Sequence, residues 1–547
     1  MTISSMTVKA LIGTASIIGL SYLAPLAAAH PVNKAADASV ERSTPIDMNV
    51  LDTDAINAID AFNTPGMSIG VVHKGAVIYA KGFGHRDLND KRPVNSETLF
   101  RVASTTKAFT AASLAVLVDD GVLDWDDRVI DYLPGFRMSD PWVTREFTIR
   151  DLLTHRSGLG LGAGDLMLWP EPTGFTRQEM IYNLRHLKPV SGFRDKYAYD
   201  NLLYIVAGEV AAAASGMSWE DLVQSRILDP LEMDCYAGET PRTAMRNTAI
   251  PYGFVDEEIV EVTRNKISGK TTASAAAGGL VCNIDGMNTW MQTQLAGGVG
   301  PNGVRVFSEA QRDAMWTSQT ILRVGQRERE LDRTNFKTYA LGWRKEDMHG
   351  YEVISHTGTL SGFQAYLALI PELELGVVTL NNGSNYGART AVVQTVLKAY
   401  LEQPDRDWVA YYATLQAEAA AKAEAEAALE GGAANDNREG SGTVNRPLPD
   451  YAGAYVDPWF GRVDITRQGD DLRFQSDKMV KMAGTLEPFD LNTFIVKWDD
   501  REFRADAYMR FETNFDGEIS GATMRHVDPE GSWSFNFQDL NFARSED

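Results

Sequence analysis

Phe100-Arg101-Val102-Ala103-Ser104-Thr105-Thr106-Lys107 runs without a break into Ala108-Phe109-Thr110-Ala111-Ala112-Ser113-Leu114-Ala115-Val116-Leu117-Val118. The second part is apolar, alanine-rich and free of Gly and Pro, so residues 106–118 read as a helix buried in a core. Residues three apart on a helix share a face, one turn from each other, which stacks Lys107 over Ser104 at the helix mouth. A serine hydroxyl is a weak nucleophile until a neighbouring base takes its proton. Lysine is such a base once burial and nearby charge have lowered its pKa. The helix N-terminus adds backbone N–H donors and a positive dipole end beside the hydroxyl. Taken alone, the same residues also fit an N-cap serine followed by an exposed lysine.

Working outward, Met67-Ser68-Ile69-Gly70-Val71-Val72-His73 and Ala76-Val77-Ile78-Tyr79-Ala80 are β-rich runs joined by Lys74-Gly75, a predicted hairpin. Residues 201–214 form a second apolar helix, and residues 366–370 and 375–380 a second strand pair. Strands at both ends with helices between predict an α+β body whose first and last strands share one sheet. Composition changes after Pro404. Residues 414–429 are almost all Ala, Glu, Lys and Gln, a spacer helix, and the Gly-rich residues 431–442 read as a flexible linker. From residue 451 to 542 the pattern is strands only, with Asp516-Gly517 at a hairpin turn and Trp533, Phe535 and Phe537 alternating with Ser534, Asn536 and Gln538 as in a half-buried strand. Repeated short strands predict a closed or nearly closed β-barrel, and no catalytic motif falls inside it.

The 547 residues are 44% apolar, 23% charged and 10% aromatic, an ordinary globular composition. Lys+Arg 52 against Asp+Glu 74 gives a formal charge of −22, which repels polyanions and excludes nucleic acid as a partner. Two cysteines, Cys235 and Cys282, permit one disulfide at most and are too few for a thiolate zinc site. At the N-terminus, Lys9 precedes an apolar run, residues 10–29, that ends in Ala27-Ala28-Ala29 before His30. This is the pattern of a cleaved export signal, so a periplasmic or secreted chain is expected to begin near His30. Gly13, Thr14, Ser16, Gly19, Ser21 and Pro25 dilute the run, so no integral membrane anchor is expected.

Three tempting motifs fail on context. Gly66-Met67-Ser68-Ile69-Gly70 fits a nucleophile elbow, but Val71 and Val72 continue as strand where that motif needs a helix. Gly269-Lys270-Thr271 resembles the end of a phosphate loop, yet Arg264 stands at its required first glycine. Among the eight histidines no pair has the spacing of a helical zinc site, so no metal and no cofactor are expected.

One constellation survives. Tyr199-Asp200-Asn201 lies about 95 residues beyond Ser104, just before the second apolar helix, and His356-Thr357-Gly358 lies about 155 residues further, before Gly362-Phe363 and a strand. With Ser-x-x-Lys first, this order resembles the penicillin-recognising serine hydrolases, specifically the class C β-lactamase-like branch with its esterases and D-amino-acid peptidases. The resemblance runs from about residue 54 to 383 and includes Gly82-Phe83-Gly84, Leu152-Leu153-Thr154-His155-Arg156-Ser157-Gly158-Leu159 and Ala277-Gly278-Gly279-Leu280. It implies a β-lactamase/transpeptidase-like α+β fold, an antiparallel sheet with a helical domain. The segment opening with Tyr451-Ala452-Gly453-Ala454-Tyr455 resembles the lipocalin-like barrel appended to several secreted peptidases of the family, where it covers the active site or mediates assembly. Homo-oligomer formation through the barrel is one implied role. The expected layout is a signal peptide at 1–29, a hydrolase domain at 30–403, a spacer and linker at 404–446 and a barrel at 447–547.

The resemblance also assigns roles. Ser104 is the nucleophile that forms an acyl-enzyme, with Lys107 and the Tyr199 phenol sharing the general-base work. Asn201 bonds Lys107 and the substrate amide. The backbone N–H groups of Ser104 and Thr359, in the strand carrying Gly358, form the oxyanion hole. His155 is structural. His356 stands where β-lactamases carry lysine; exposed, it would be mostly neutral at pH 7–8, a weak partner for a β-lactam carboxylate. The expected activity is amide cleavage in small or unusual peptides. The N-terminal segment and two-domain layout resemble the serine peptidases of microcystin-degrading bacteria, which cut the linearised toxin. A carboxylesterase, a weak β-lactamase, and an inactive protein holding an apolar ligand in its barrel are the rivals.

Overall fold

The computed structural model describes residues 46–255, 258–401, 406–433, 440–529 and 531–546, all within one compact unit. The export-signal reading falls on residues 1–29, outside the described residues, and so does the 434–439 part of the expected linker.

The runs read as strands come together as the centre of one antiparallel sheet. From edge to edge it contains Arg92–Pro93, Ala76–Asp87, Gly66–His73, Leu375–Asn381, Phe363–Ile370, Tyr351–Leu360, Arg344–Met348, Lys337–Tyr339 and Thr320–Ile321. The first and last parts of the body do meet, Met67 facing Asn381 and His73 facing Leu375. Lys74 and Gly75, both at positive φ, close the predicted hairpin. The central strands are buried on both faces because side chains alternate. Met67, Ile69, Val71, Ala368 and Ile370 point into one apolar cluster with helices Met48–Ala61 and Gly387–Tyr400. Val72, Ala365, Leu367 and Leu369 point into the other, around helices Thr106–Asp119 and Leu202–Ser215. Thr106–Asp119 is buried from Thr106 through Leu117 on every side, as a helix apolar all round must be.

Helix Trp408–Ala433 starts earlier and ends later than the expected spacer, because Trp408 and Val409 bury themselves at its start, Val409 in the cluster beneath Gly387–Tyr400. Beyond it, among the described residues, eight antiparallel strands close into a barrel: Gly453–Asp457, Gly461–Gln468, Asp471–Ser476, Ala483–Leu491, Thr493–Trp498, Ala507–Thr513, Ile519–His526 and Asn541–Ser545, the last pairing with the first. Tyr451, Tyr455, Phe474, Phe494, Trp498 and Phe511 are fully buried, so aromatic side chains pack the barrel interior. The run around Trp533 departs from expectation. It is not strand: residues 531–540 turn irregularly, with a short 3-10 turn at Phe537–Asp539, and Trp533 stays 44% exposed. Its alternating aromatics are spent outside the barrel ladder.

Cys235 and Cys282 face each other across short paired strands and form a disulfide, closing a loop over a separation of 47 residues. Val281–Cys282 also pairs with Phe100–Arg101, directly ahead of Ser104, so the crosslink braces the approach to the nucleophile. Replacing both cysteines by serine should lower stability by about 2–4 kcal/mol. A urea midpoint equal to that of the oxidised wild type would show that the crosslink contributes nothing.

Candidate active site

Ser104 sits in a 3-10 turn, Ala103–Thr105, that feeds directly into helix Thr106–Asp119. The residue before it, Ala103, has φ 48°, a left-handed backbone that costs an L-residue about 1–2 kcal/mol. Neighbours hold it there. Val102 N–H donates to the Leu280 carbonyl at 3.0 Å, and the Thr105 hydroxyl donates to the Val102 carbonyl at 2.9 Å. Gly358 comes so close that a Cβ there would overlap the Val102 oxygen and lie 3.2 Å from the Ser104 nitrogen. Strand Tyr351–Leu360 has a partner on one edge only as far as Ser355; beyond that, this edge faces the nucleophile. Behind it, buried Arg389 donates to the Gly358 carbonyl and, at 3.1 Å, to the Thr359 hydroxyl.

Lys107 is fully buried. Its amine nitrogen lies 2.8 Å from the Asn201 Oδ1, 2.8 Å from the Ala277 carbonyl and 3.3 Å from the Ser104 hydroxyl. Burial pushes its pKa down to about 7, against the attraction of Asp165, with Arg344 assisting the fall and Asp200 opposing it. A neutral amine has two hydrogens and one lone pair. Two carbonyl oxygens take the hydrogens, and the lone pair is left for the serine proton.

Tyr199 is buried with its ring 4.8 Å from the Lys107 nitrogen and its hydroxyl interacting with Ser104. Burial drives its pKa far above the ordinary phenol value, so it keeps its proton. Of the pair expected to share the general-base work, Lys107 has the lowered pKa and Tyr199 the raised one. Asn201 stands at the start of helix Leu202–Ser215 without capping it through its side chain, which instead donates from Nδ2 to buried Asp165 at 2.9 Å. His155 is structural in geometry as well. Its Nδ1 accepts from the Asp200 backbone N–H at 3.1 Å, and its ring packs against Tyr199, Tyr204 and Tyr339.

His356 lies elsewhere than expected. It is 1% exposed, donates from Nδ1 to its own Thr357 carbonyl at 2.7 Å, accepts from the Tyr339 hydroxyl at 2.9 Å, and does not line the cleft. It is neutral because burial, with Arg344 next, pushes its pKa well down, not because it titrates in water. Arg101, Arg264 and Arg344 line the cleft; Arg101 is paired with Glu171 and Arg264 with Asp500 and Glu502, whereas Arg344 is held at 3.0 Å by the Thr357 hydroxyl and bonded to Tyr197. The cleft has a volume of about 450 Å³ and brings Ser104, Tyr199, Asn201, Arg344 and Thr359 together. Its outer wall is Trp533 of the barrel, edge-on to Tyr199 with centroids 5.6 Å apart.

Residues 55–400 match the sequence family described as Beta-lactamase. The chain belongs to the β-lactamase family of serine hydrolases. Its C-terminal residues 437–544 match a domain of unknown function, DUF3471. Two unguisins hydrolases are relatives: one of Aspergillus campestris, 30% identical over 65% of this chain and 67% of its own, and one of Aspergillus violaceofuscus, 28% identical over 80% and 79%. The octameric penicillin-binding protein homologue from Pyrococcus abyssi has the same fold, at TM-score 0.57 and 20% identity, over 91% of this chain and 100% of that one.

The structure brings together Ser104, Lys107, Tyr199, Asn201, Gly358 and Thr359 from the three motifs, and with them Arg344, Asp165, Arg389 and Trp533, to which no motif pointed. Arg344 is twelve residues ahead of His356, but sheet register, Arg344 opposite Ser355, brings it alongside, and no local motif announces it. Two substitutions test this packing. Gly358→Ala should abolish activity by displacing the Val102 carbonyl, and retention of more than about a tenth of the rate would contradict it. His356→Lys buries a cation beside Arg344 and Lys107 and should destabilise the protein by about 3 kcal/mol or more without improving cephalosporin turnover. An unchanged melting temperature would mean the His356 pocket opens to water.

Proposed function

We propose that this serine hydrolase is an exported peptidase that cleaves amide bonds in small linear peptides, including unusual ones containing D-residues or derived from linearised microcystin-like toxins, through an acyl-enzyme on Ser104. The observation that carries the reading is the enclosed Lys107 amine, pushed to about pKa 7 and 3.3 Å from Ser104. Lys107 takes the Ser104 proton as the hydroxyl attacks, and that proton goes on to the leaving amine by way of the Tyr199 phenol, which gives up one proton as it receives another, so both groups return to their starting states. The Ser104 and Thr359 N–H groups receive the charge developing on the carbonyl oxygen, where losing one such donor costs about 10²–10³ in rate. Arg344 supports a linear substrate with a free carboxylate, since a bidentate guanidinium matches that group. The disulfide supports export, because such bonds persist in oxidising compartments. The packed barrel interior speaks against the rival of an apolar ligand held inside it. Carboxylesterase and weak β-lactamase use the same residues, and Arg344 favours the second of these over a neutral-ester enzyme. Matched ester, peptide anilide and cephalosporin substrates separate the three.

Ser104→Ala should lower hydrolysis at least about 10³-fold with no loss of folding. A fluorophosphonate should label Ser104; labelling at Ser68, which is buried and bonded to the Asn95 carbonyl, would defeat the assignment. The neutral amine is the active form of Lys107, so kcat/KM should rise as pH climbs through about 7. A rate flat from pH 5.5 to 8.5 would exclude Lys107 as the base. Arg344→Ala should raise KM about 10- to 100-fold for a peptide with a free C-terminal carboxylate but little for its amide. Equal effects on both would remove the carboxylate reading.

A further inference from the structure

Between strands Ile519–His526 and Asn541–Ser545 the chain leaves the barrel and crosses to the hydrolase body. Asn536 Nδ2 donates to the Leu161 carbonyl at 2.8 Å, and Trp533 packs so tightly on Gly162 that a Cβ there would lie 2.8 Å from its ring. Between these two contacts the Ser534 hydroxyl donates to Asp165 Oδ2 at 2.9 Å, the same oxygen that accepts from Asn201. Asp165 is fully buried, and its other oxygen has no partner among the described residues.

We infer that Ser534 is a positioning residue for the catalytic base: through Asp165 and Asn201, the barrel sets the orientation of Lys107. The inference rests on the reading of Ser104 and Lys107 as nucleophile and base. An asparagine amide has nearly the same shape either way round, but donates on one side and accepts on the other. Its carbonyl faces Lys107 only while Asp165 remains an acceptor for its NH2. Burial and the neighbouring Asp200 raise the Asp165 pKa well above the ordinary carboxylate range, and the hydrogen bonds from Asn201 and Ser534 and the charge of Lys107 oppose that rise. Removing Ser534 takes away one donor. A protonated Asp165 is then free to donate to the amide oxygen and turn the amide round, which presents N–H groups to Lys107. The titratable and charged groups facing Lys107 are Asp165, Asp200, Arg344, Tyr199 and Tyr204; burial keeps both phenols protonated, and His155 and His356 beside it are held neutral. A smaller share of Asp165 carboxylate withdraws support from the ammonium form of Lys107, so the base titrates at lower pH.

The test is the rate at which a fluorophosphonate labels Ser104 in the full-length chain between pH 5 and 9. Ser534→Ala should label about tenfold more slowly at pH 8, with its acid limb displaced to lower pH. Ser534→Thr, which keeps the hydroxyl, should recover both. Wild-type rate and limb in Ser534→Ala overturn the inference, as does a slower rate with an unmoved limb, the mark of a merely structural change. If Ser534→Ala does not fold, Asp165→Asn removes the same charge without touching the barrel; its limb must shift the same way, and an unmoved limb overturns the inference. A wild type that is not labelled at all overturns the hydrolase reading itself, which separates the two failures.

Discussion

Lys107 carries a charged group's cost in a place with no water. A lysine enclosed on every side remains charged only where carboxylates repay its lost hydration; here the nearest, Asp165 and Asp200, are themselves buried and inclined to hold their protons. The amine is therefore poised at about 7 and needs oxygen acceptors aimed at it from two directions. Much of the surrounding architecture supplies those acceptors. Helix Thr106–Asp119 has to be apolar all round to seal the site, Leu202–Ser215 has to begin at Asn201, and the Ala275–Gly278 turn has to present the Ala277 carbonyl.

The nucleophile is held by a second constraint, the left-handed Ala103 clamped between Leu280 and Gly358. The Gly of His-Thr-Gly is accordingly a contact residue, required because backbone meets backbone at that point. The His of the same motif does different work. Its two ring nitrogens are satisfied by Thr357 and Tyr339, so it fixes the strand from behind while Arg344, from the next strand, brings a guanidinium to the cleft.

The C-terminal barrel is joined to this site by polar contacts over a wide area. Lys478 pairs with Glu179 at 2.7 Å, Arg264 with Asp500 at 2.8 Å and also with Glu502, and Asn183 Nδ2 donates to the Trp459 carbonyl at 2.8 Å. Exposed pairs such as Lys478–Glu179 contribute little individually, but together with Trp533 and Asn536 they fix the seating of the 531–536 segment over the cleft. One wall of the cleft that holds Ser104 is thus built from a distant part of the chain.

Local pattern alone determined the helix behind Ser104, the hairpin at Lys74-Gly75, an α+β body, the barrel and the three ordered motifs. Each depends on interactions within a few residues, such as the period of apolar side chains, a glycine at positive φ or a serine one turn before a lysine, and such interactions are written in consecutive positions. Tertiary structure alone decided that Cys235 and Cys282 are bonded, that His356 is turned inward, that Arg344 lines the cleft, and that Trp533 and Ser534 leave the barrel to reach Tyr199 and Asp165. The alternation of Trp533, Phe535 and Phe537 with polar residues is the same whether the second face meets solvent or another domain. Which surface a residue meets across the fold is set by sheet register and domain docking, and neither leaves a mark in the residues beside it.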